Sequence, residues 1–317
     1  MSPVSRHLQK GGGVPIVASD YYKAHDRIIT SLTELRVHID SIDAYAARRN
    51  LSVFWRGQLD HRWGLTSSLV RRLSVATVPD DSLLNRIEDR IVADAGDWVS
   101  VLGNEPYRGP LAQLAYVQHH GVPTRLLDFT RNPWVAVFFA VETGDDFDGR
   151  IFAIFVERDA LIGGAPEGYP WRTYRTNEIK IWDPAANGIE FPRLVAQSGV
   201  LAVGRLPSTQ PHRTAWDSEI NSDRALLAEE VRRIMSIPIK LTSTGPISDR
   251  AVPPIAVTLR IHIDKESVRK DLAGGRPRRR ISPPTSVISH KTMYPDVQGL
   301  TSHSQFLQGL ERGLLLV

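Results

Sequence analysis

RIFAIFVE, residues 150–157, is apolar on both of the faces that a strand presents. This pattern marks a central β-strand covered on both sides. Three further segments join it. Ser52 to Trp55 reads as a short strand delivering Arg56 and Gly57, and Gly199 to Arg205 as another. Ile255, Val257, Leu259, Ile261 and Ile263 alternate strictly, as a third. Helical spacing fills the intervals. Ser31-Leu32-Thr33-Glu34 fits an S-x-x-E capping box, with Leu32, Leu35, Ile39 and Ile42 on one face. Leu83 to Leu102 places Leu84, Ile87, Ile91, Ala95, Trp98 and Leu102 on another. A helix is also expected near Asp223 to Met235. Strands separated by helices without regular βαβ spacing predict a single α+β domain with a mixed or antiparallel central sheet, over residues 31–317. Residues 1–30, with the Gly11 to Gly13 triplet, read as a loosely ordered arm.

The stretch QHHGVPTRLLDFTRNPWVAVFFA, Gln118 to Ala140, concentrates the chemistry. Pro110 suits the first position of a helix and Gly121 the residue past its end, so Gln118, His119 and His120 fall on a last turn. Asn132-Pro133 reads as an N-cap and N1 pair opening a helix from Trp134 to Thr143. Gly121 to Arg131 is thereby expected as an irregular connection between helices, where binding groups commonly lie.

With 317 residues, 42% hydrophobic, the chain can bury a substantial core. It has no Cys, which removes disulfides, thiolate nucleophiles and cysteine metal sites together. The N-terminus lacks the apolar core of a signal peptide and no window has the apolar length of a membrane span, so a cytoplasmic protein without a membrane partner is expected. A net charge of +4 neither requires nor excludes a nucleic-acid partner. His119 and His120 are adjacent rather than four apart, and no metal is expected. No G-x-S-x-G elbow, P-loop or dinucleotide fingerprint is present.

Three blocks in order resemble the FRG domain, a bacterial family named after a Phe-Arg-Gly signature. They are FWRGQ (Phe54 to Gln58) with Trp63 and Leu69-Val70-Arg71, then the stretch opening at Gln118, and RLVAQSGVL (Arg193 to Leu201). The tail SHKTMYPDVQGL, Ser289 to Leu300, resembles the segment after the last strand, where Tyr or Phe precedes Pro-Asp. The resemblance spans about Leu32 to Leu310. Trp55 stands between Phe54 and Arg56, and His120 stands where an aromatic is expected. The family's occurrence near phage-defence and toxin-type genes implies a growth-inhibiting or defence effector.

A weaker resemblance, at fold level, is to ADP-ribosyltransferases. There an Arg leaving the first core strand holds NAD, a Ser or Thr lies on a middle strand, and a Glu follows. It places Arg56 on the cofactor and Thr130 in the middle role. Gln197 then falls where the Glu is sought, leaving Asp128 or Glu190 as the acid, since a Gln carries no charge to stabilise an oxocarbenium-like centre.

Each residue has a plainer alternative. Arg56 either holds a ligand or pairs with a buried acid, and Gly57 either admits a ligand or admits backbone. Arg125 and Asp128 can pair with each other. His119 can be a helix-capping cation or an acid/base. The expectation is that Arg56, Gln58, His119, Arg125, Asp128, Thr130 and Gln197 line one pocket for an anionic nucleotide such as NAD, with Gly57 beside it and Trp63 stacking on a base. The competing classes are a non-catalytic nucleotide or nucleic-acid binding module and a metal-independent nuclease. In the 274–286 loop, Arg276, Arg278, Arg279 and Arg280 are the candidate nucleic-acid contacts.

Overall fold

The computed structural model describes residues 16–103, 107–164, 166–207, 214–217, 221–242, 247–274, 287–296 and 299–301. In chain order it begins with α1 (Ala18–Lys23), β1 (Asp26–Ile29), α2 (Leu32–Arg48), β2 (Ser52–Gln58), α3 (Ser68–Leu73), α4 (Asp81–Trp98) and α5 (Pro110–His119). It continues with β3 (Leu127–Thr130), α6 (Pro133–Val141), β4 (Gly149–Val156), β5 (Leu161–Ile162), β6 (Ile179–Trp182), α7 (Pro192–Ala196) and β7 (Gly199–Gly204). The last elements are β8 (Thr214–Asp217), β9 (Ser222–Ala225), α8 (Ala228–Ile234), β10 (Lys240–Leu241), β11 (Ile255–Ile261), α9 (Lys265–Ala273) and α10 (His290–Met293).

One mixed sheet of nine strands runs β1-β11-β4-β2-β3-β7-β6-β5, with β10 also on β11. The arrangement is α+β. β1, β10 and β5 pair in parallel, and the ladders from β11 through to β6 are antiparallel. β4 sits inside the sheet with all eight residues buried. The alternation of a strand splits its apolar residues between two layers. Ile151, Ala153 and Phe155 pack with Trp55 against α2, α6 and α9. Phe152, Ile154 and Val156 pack with Phe54, Tyr22 and the α8 residues Val231 and Ile234. A third cluster, with Trp171, Trp182 and Leu201, holds α5 over the far half of the sheet. Such two-sided cover is why RIFAIFVE shows no polar period.

The helix starts follow their caps. The Ser31 hydroxyl accepts from the Glu34 N–H at 3.2 Å, and the Glu34 carboxylate reaches back one residue further than a capping box requires, to the Thr30 N–H at 2.9 Å. Asn132 caps α6 by accepting from the Trp134 N–H at 3.0 Å. Gly121, at φ 90°, follows the end of α5 in the left-handed region.

Several expectations are corrected. Gly121 to Arg131 is not irregular throughout, because Leu127–Thr130 is a strand in the middle of the sheet. Within 1–30, residues 18–23 are helical and 26–29 pair with β11, while 1–15 lie outside the described residues. The arm is anchored by a buried ion pair, Asp26 with Arg150, whose Nη2 donates at 2.9 Å. The 223–235 segment is a strand followed by a helix starting at Ala228. The Glu230 carboxylate takes the Leu227 N–H and the Arg224 guanidinium, which separates the two. Trp98 is exposed, since α4 ends there and a 3-10 turn swings Leu102 inward instead. Arg276, Arg278, Arg279 and Arg280 lie outside the described residues. Among the described residues no helix is long and apolar enough to cross a membrane.

Candidate functional site

β2 and β3 share one paired position, Trp55 opposite Thr130, and part beyond it. A cavity of about 290 Å³ opens against the parted segments, closed from above by the ends of α5 and α7 and by Tyr294. Arg56, His119, Asp128, Thr130 and Gln197 all line it. Residues 141 positions apart in sequence, Arg56 and Gln197, are thus brought to one wall-to-wall space.

Arg56 sits at the floor. Its Nη1 donates to the Asp128 carbonyl at 2.6 Å and stands 3.8 Å from the Asp128 carboxylate. Its Nε is buried and has no partner among the described residues. Burial lowers the guanidinium pKa from its ordinary value, Asp128 opposing and Arg71 adding to the shift. Asp128, with its side chain 62% exposed, accepts from the Gln118 Nε2 at 2.7 Å. The Thr124 hydroxyl in turn donates to the Gln118 Oε1, which fixes which way that amide faces. Gln118 is therefore a positioning group for Asp128.

His119 stacks on Phe191 at 4.5 Å between ring centres. Burial pushes its pKa down, followed by the positive neighbours Arg193 and His120. The shift disfavours the charged form of the imidazole, although His119 does lie on the last turn of α5. Arg193 donates to Asp296 at 2.9 Å, and the Tyr294 hydroxyl donates to Glu142 at 3.0 Å. Both pairs tie the 289–296 segment down over the cavity.

Arg125 departs most from expectation. It lies outside the cavity, buried, with Nε on Glu88 at 2.5 Å, Nη1 on Asp81 at 3.1 Å and Nη2 on Asn85 at 2.9 Å. It anchors α4 to the sheet and does not pair with Asp128. Thr130 lines the cavity with its hydroxyl committed, donating to the Gln197 carbonyl at 2.6 Å and accepting from the Asn132 N–H at 3.0 Å. The Gln197 amide likewise donates to the Met293 carbonyl at 2.9 Å. At Gly57 the missing side chain admits α6, since a β-carbon would fall 1.9 Å from the Ala136 carbonyl oxygen. Glu190 is exposed and off the lining.

Gln58 and Trp63 face a second, larger cleft of about 730 Å³, which shares Arg56, Gly57, Phe139 and Tyr294 with the first. Gln58 is buried, with its Nε2 on the Gly64 carbonyl at 3.0 Å and its Oε1 without a partner among the described residues. Trp63 is 51% exposed. Arg193, Tyr294 and Glu142 escaped a residue-by-residue reading, although the first two lie in the Arg193 to Leu201 and Ser289 to Leu300 blocks. Among the described residues no group of three or more His, Asp or Glu is placed to hold a metal ion.

No curated protein matches the chain, and no solved structure does. The family model of the FRG domain matches residues 51–149, which include β2, α5 and β3 and therefore Arg56, His119 and Asp128. Arg193, Gln197 and Tyr294 lie beyond the matched segment. Residues 51–149, with the strand that carries the Phe-Trp-Arg-Gly string at their heart, are thus similar to the FRG domain.

Proposed function

We propose that the Arg56 cavity binds a nucleotide-type anionic ligand. The observation that carries this reading is Arg56 itself. It is a guanidinium only 19% exposed that has, among the described residues, one carbonyl partner, none at Nε and a carboxylate no nearer than 3.8 Å. A buried cation paired so sparsely is costly, and an anionic oxygen in the cavity offsets that cost through charge-assisted hydrogen bonds.

The finer reading is NAD-dependent ADP-ribosyl transfer or NAD cleavage by a growth-inhibiting or defence effector. A dinucleotide needs more room than the inner cavity, and the cleft beyond Arg56 supplies it, within the range of about 300–1,000 Å³ usual for ligand sites. Arg56, on the border of the two spaces, would hold the pyrophosphate, and the open face of Trp63 would take a base. Bound NAD supplies a scissile ribose–nicotinamide bond. Asp128, the carboxylate on the inner lining, would face the developing positive charge there. Thr130 and Gln197 shape the wall, since their hydroxyl and amide N–H groups are spent on backbone carbonyls.

Calorimetry with ADP-ribose and NAD, followed by chromatography for released nicotinamide, tests both levels. Binding that disappears in Arg56→Ala is expected. Binding of NAD without nicotinamide release, with or without cell extract as target, would leave a nucleotide-binding module. No binding of either compound would overturn the reading.

A further inference from the structure

The second cleft contains chemistry that the inner cavity does not use. Gly64 lets the 59–67 loop lie against α8, because a β-carbon there would fall 1.9 Å from the Arg233 carbonyl oxygen. The loop is locked in place by backbone bonds, Leu65 N–H to the Ile234 carbonyl at 2.8 Å and Ser236 N–H to the Leu65 carbonyl at 3.0 Å. This contact brings Arg233 of α8 to the same cleft as Trp63 and as Arg71 of α3, with Arg56 at its inner end.

The charges there are unbalanced. Arg71 donates to the Thr66 carbonyl and Arg233 is exposed, and neither has an ion pair among the described residues. Arg62, also on the lining, is matched by Asp60, at 2.6 Å. Glu142 is the one carboxylate on the described lining, and Tyr294 and His290 already occupy its two oxygens at 3.0 Å each. An exposed indole between uncompensated guanidinium groups is what a strand with phosphates on one side and free base faces on the other requires.

We infer that this outer cleft is a binding groove for single-stranded nucleic acid. Its phosphates lie against Arg71, Arg233 and Arg56, and one base stacks on Trp63. The Gln58 Oε1, buried on the same lining and without a partner among the described residues, is placed to accept a hydrogen bond from a base amino or ribose hydroxyl group. A duplex keeps its base faces stacked inside and cannot use Trp63 in this way. The inference extends the reading of the Arg56 cavity and shares Arg56 and Trp63 with it, but rests on Arg71 and Arg233, which that reading does not use, so each can fail separately.

The test is fluorescence polarisation of the full chain with labelled DNA and RNA strands of about 12 nucleotides, over a range of salt. Tight binding in low salt is expected, with a steep loss as salt rises. Arg71→Ala combined with Arg233→Ala should weaken it at least tenfold and make the slope of log K against log salt shallower by about 1.4, the share of two single-strand phosphate contacts. Trp63→Ala should weaken it by roughly fivefold or more, one stacked base. The exposed Arg233→Glu variant serves as a check that needs no buried change. The inference is overturned by absent binding in low salt, by affinity and slope unchanged in the variants, by equal binding of duplex, or by equal competition from polyglutamate. ADP-ribose binding measured on the same samples reports the inner cavity. If it persists while the oligonucleotide fails, the groove alone is excluded, and the reverse result excludes the cavity alone.

Discussion

Arg56 reaches across from β2 and donates to the backbone carbonyl of Asp128 on β3, at 2.6 Å, while its own Nε has no partner among the described residues. The side chain thus stands where a ladder hydrogen bond would otherwise be and keeps donor capacity for a ligand. Arg56→Ala should abolish nucleotide binding and cost only about 1 kcal/mol of stability, the worth of one hydrogen bond. Paired calorimetry and chemical denaturation check this. A mutant that fails to fold would make Arg56 a structural anchor.

Arg125 should behave oppositely. Removing it leaves Glu88, fully buried, without its cation at 2.5 Å. Arg125→Ala is expected to destabilise the fold by about 3–5 kcal/mol in urea unfolding, because an uncompensated buried charge remains. Ligand affinity of the molecules that stay folded should hardly change. Replacing Glu88 with Gln in the same chain should recover part of the loss.

Gly57→Ala should lower stability by about 1–3 kcal/mol, since the added methyl meets the Ala136 carbonyl and must push α6 away from β2. Melting curves report the loss. Binding should fall as well, because Phe139 on α6 lines both spaces.

The imidazole of His119 should titrate below the usual value of about 6.5 in NMR, as burial and Arg193 disfavour its charged form. The unfolded chain then takes up this proton more readily than the folded one. Its contribution to stability therefore falls as pH drops from about 6.5 through the folded midpoint, and recovers on return to neutrality. Arg193→Gln should raise the midpoint, because a positive neighbour is lost and Asp296 is released from its ion pair.

Thr130→Val should destabilise by about 1–2 kcal/mol, through the stranded Asn132 N–H, whereas Thr130→Ser should retain both stability and binding. A large fall in activity in the Ser variant at unchanged stability would instead assign the residue a direct chemical role.

The meeting of Arg56, Asp128 and Gln197 was legible because each falls in a polar block that no amphipathic period explains. The role of Arg125 was not. In an irregular segment, as the sequence of Gly121 to Arg131 suggests, an Arg and an Asp three apart can meet. Once Leu127–Thr130 is a strand, Asp128 and Thr130 turn one way and Leu127 and Phe129 the other, and Arg125 is drawn to the acids of α4. Four residues, LDFT, are too few for alternation to declare itself. β1 escaped for the same reason: DRII gains its place from the pairing of Asp26 with Arg150, more than 120 positions away, which no local pattern records. Gly57 was marked correctly as a place of close approach, but sequence does not say whether backbone or ligand does the approaching.

Trp55 and Thr130 form the single rung between the two halves of the sheet. On one side of that rung stand β2, β4, β11, β1 and β10, and on the other β3, β7, β6 and β5. The nine-stranded sheet is thus two plates whose ladders meet at one backbone pair beside the cavity, with the Arg56 side chain bonding across the same seam. The cavity thus opens at the seam where the backbone ladder of the sheet is thinnest. Amide exchange at the rung would run faster than in the plates on either side.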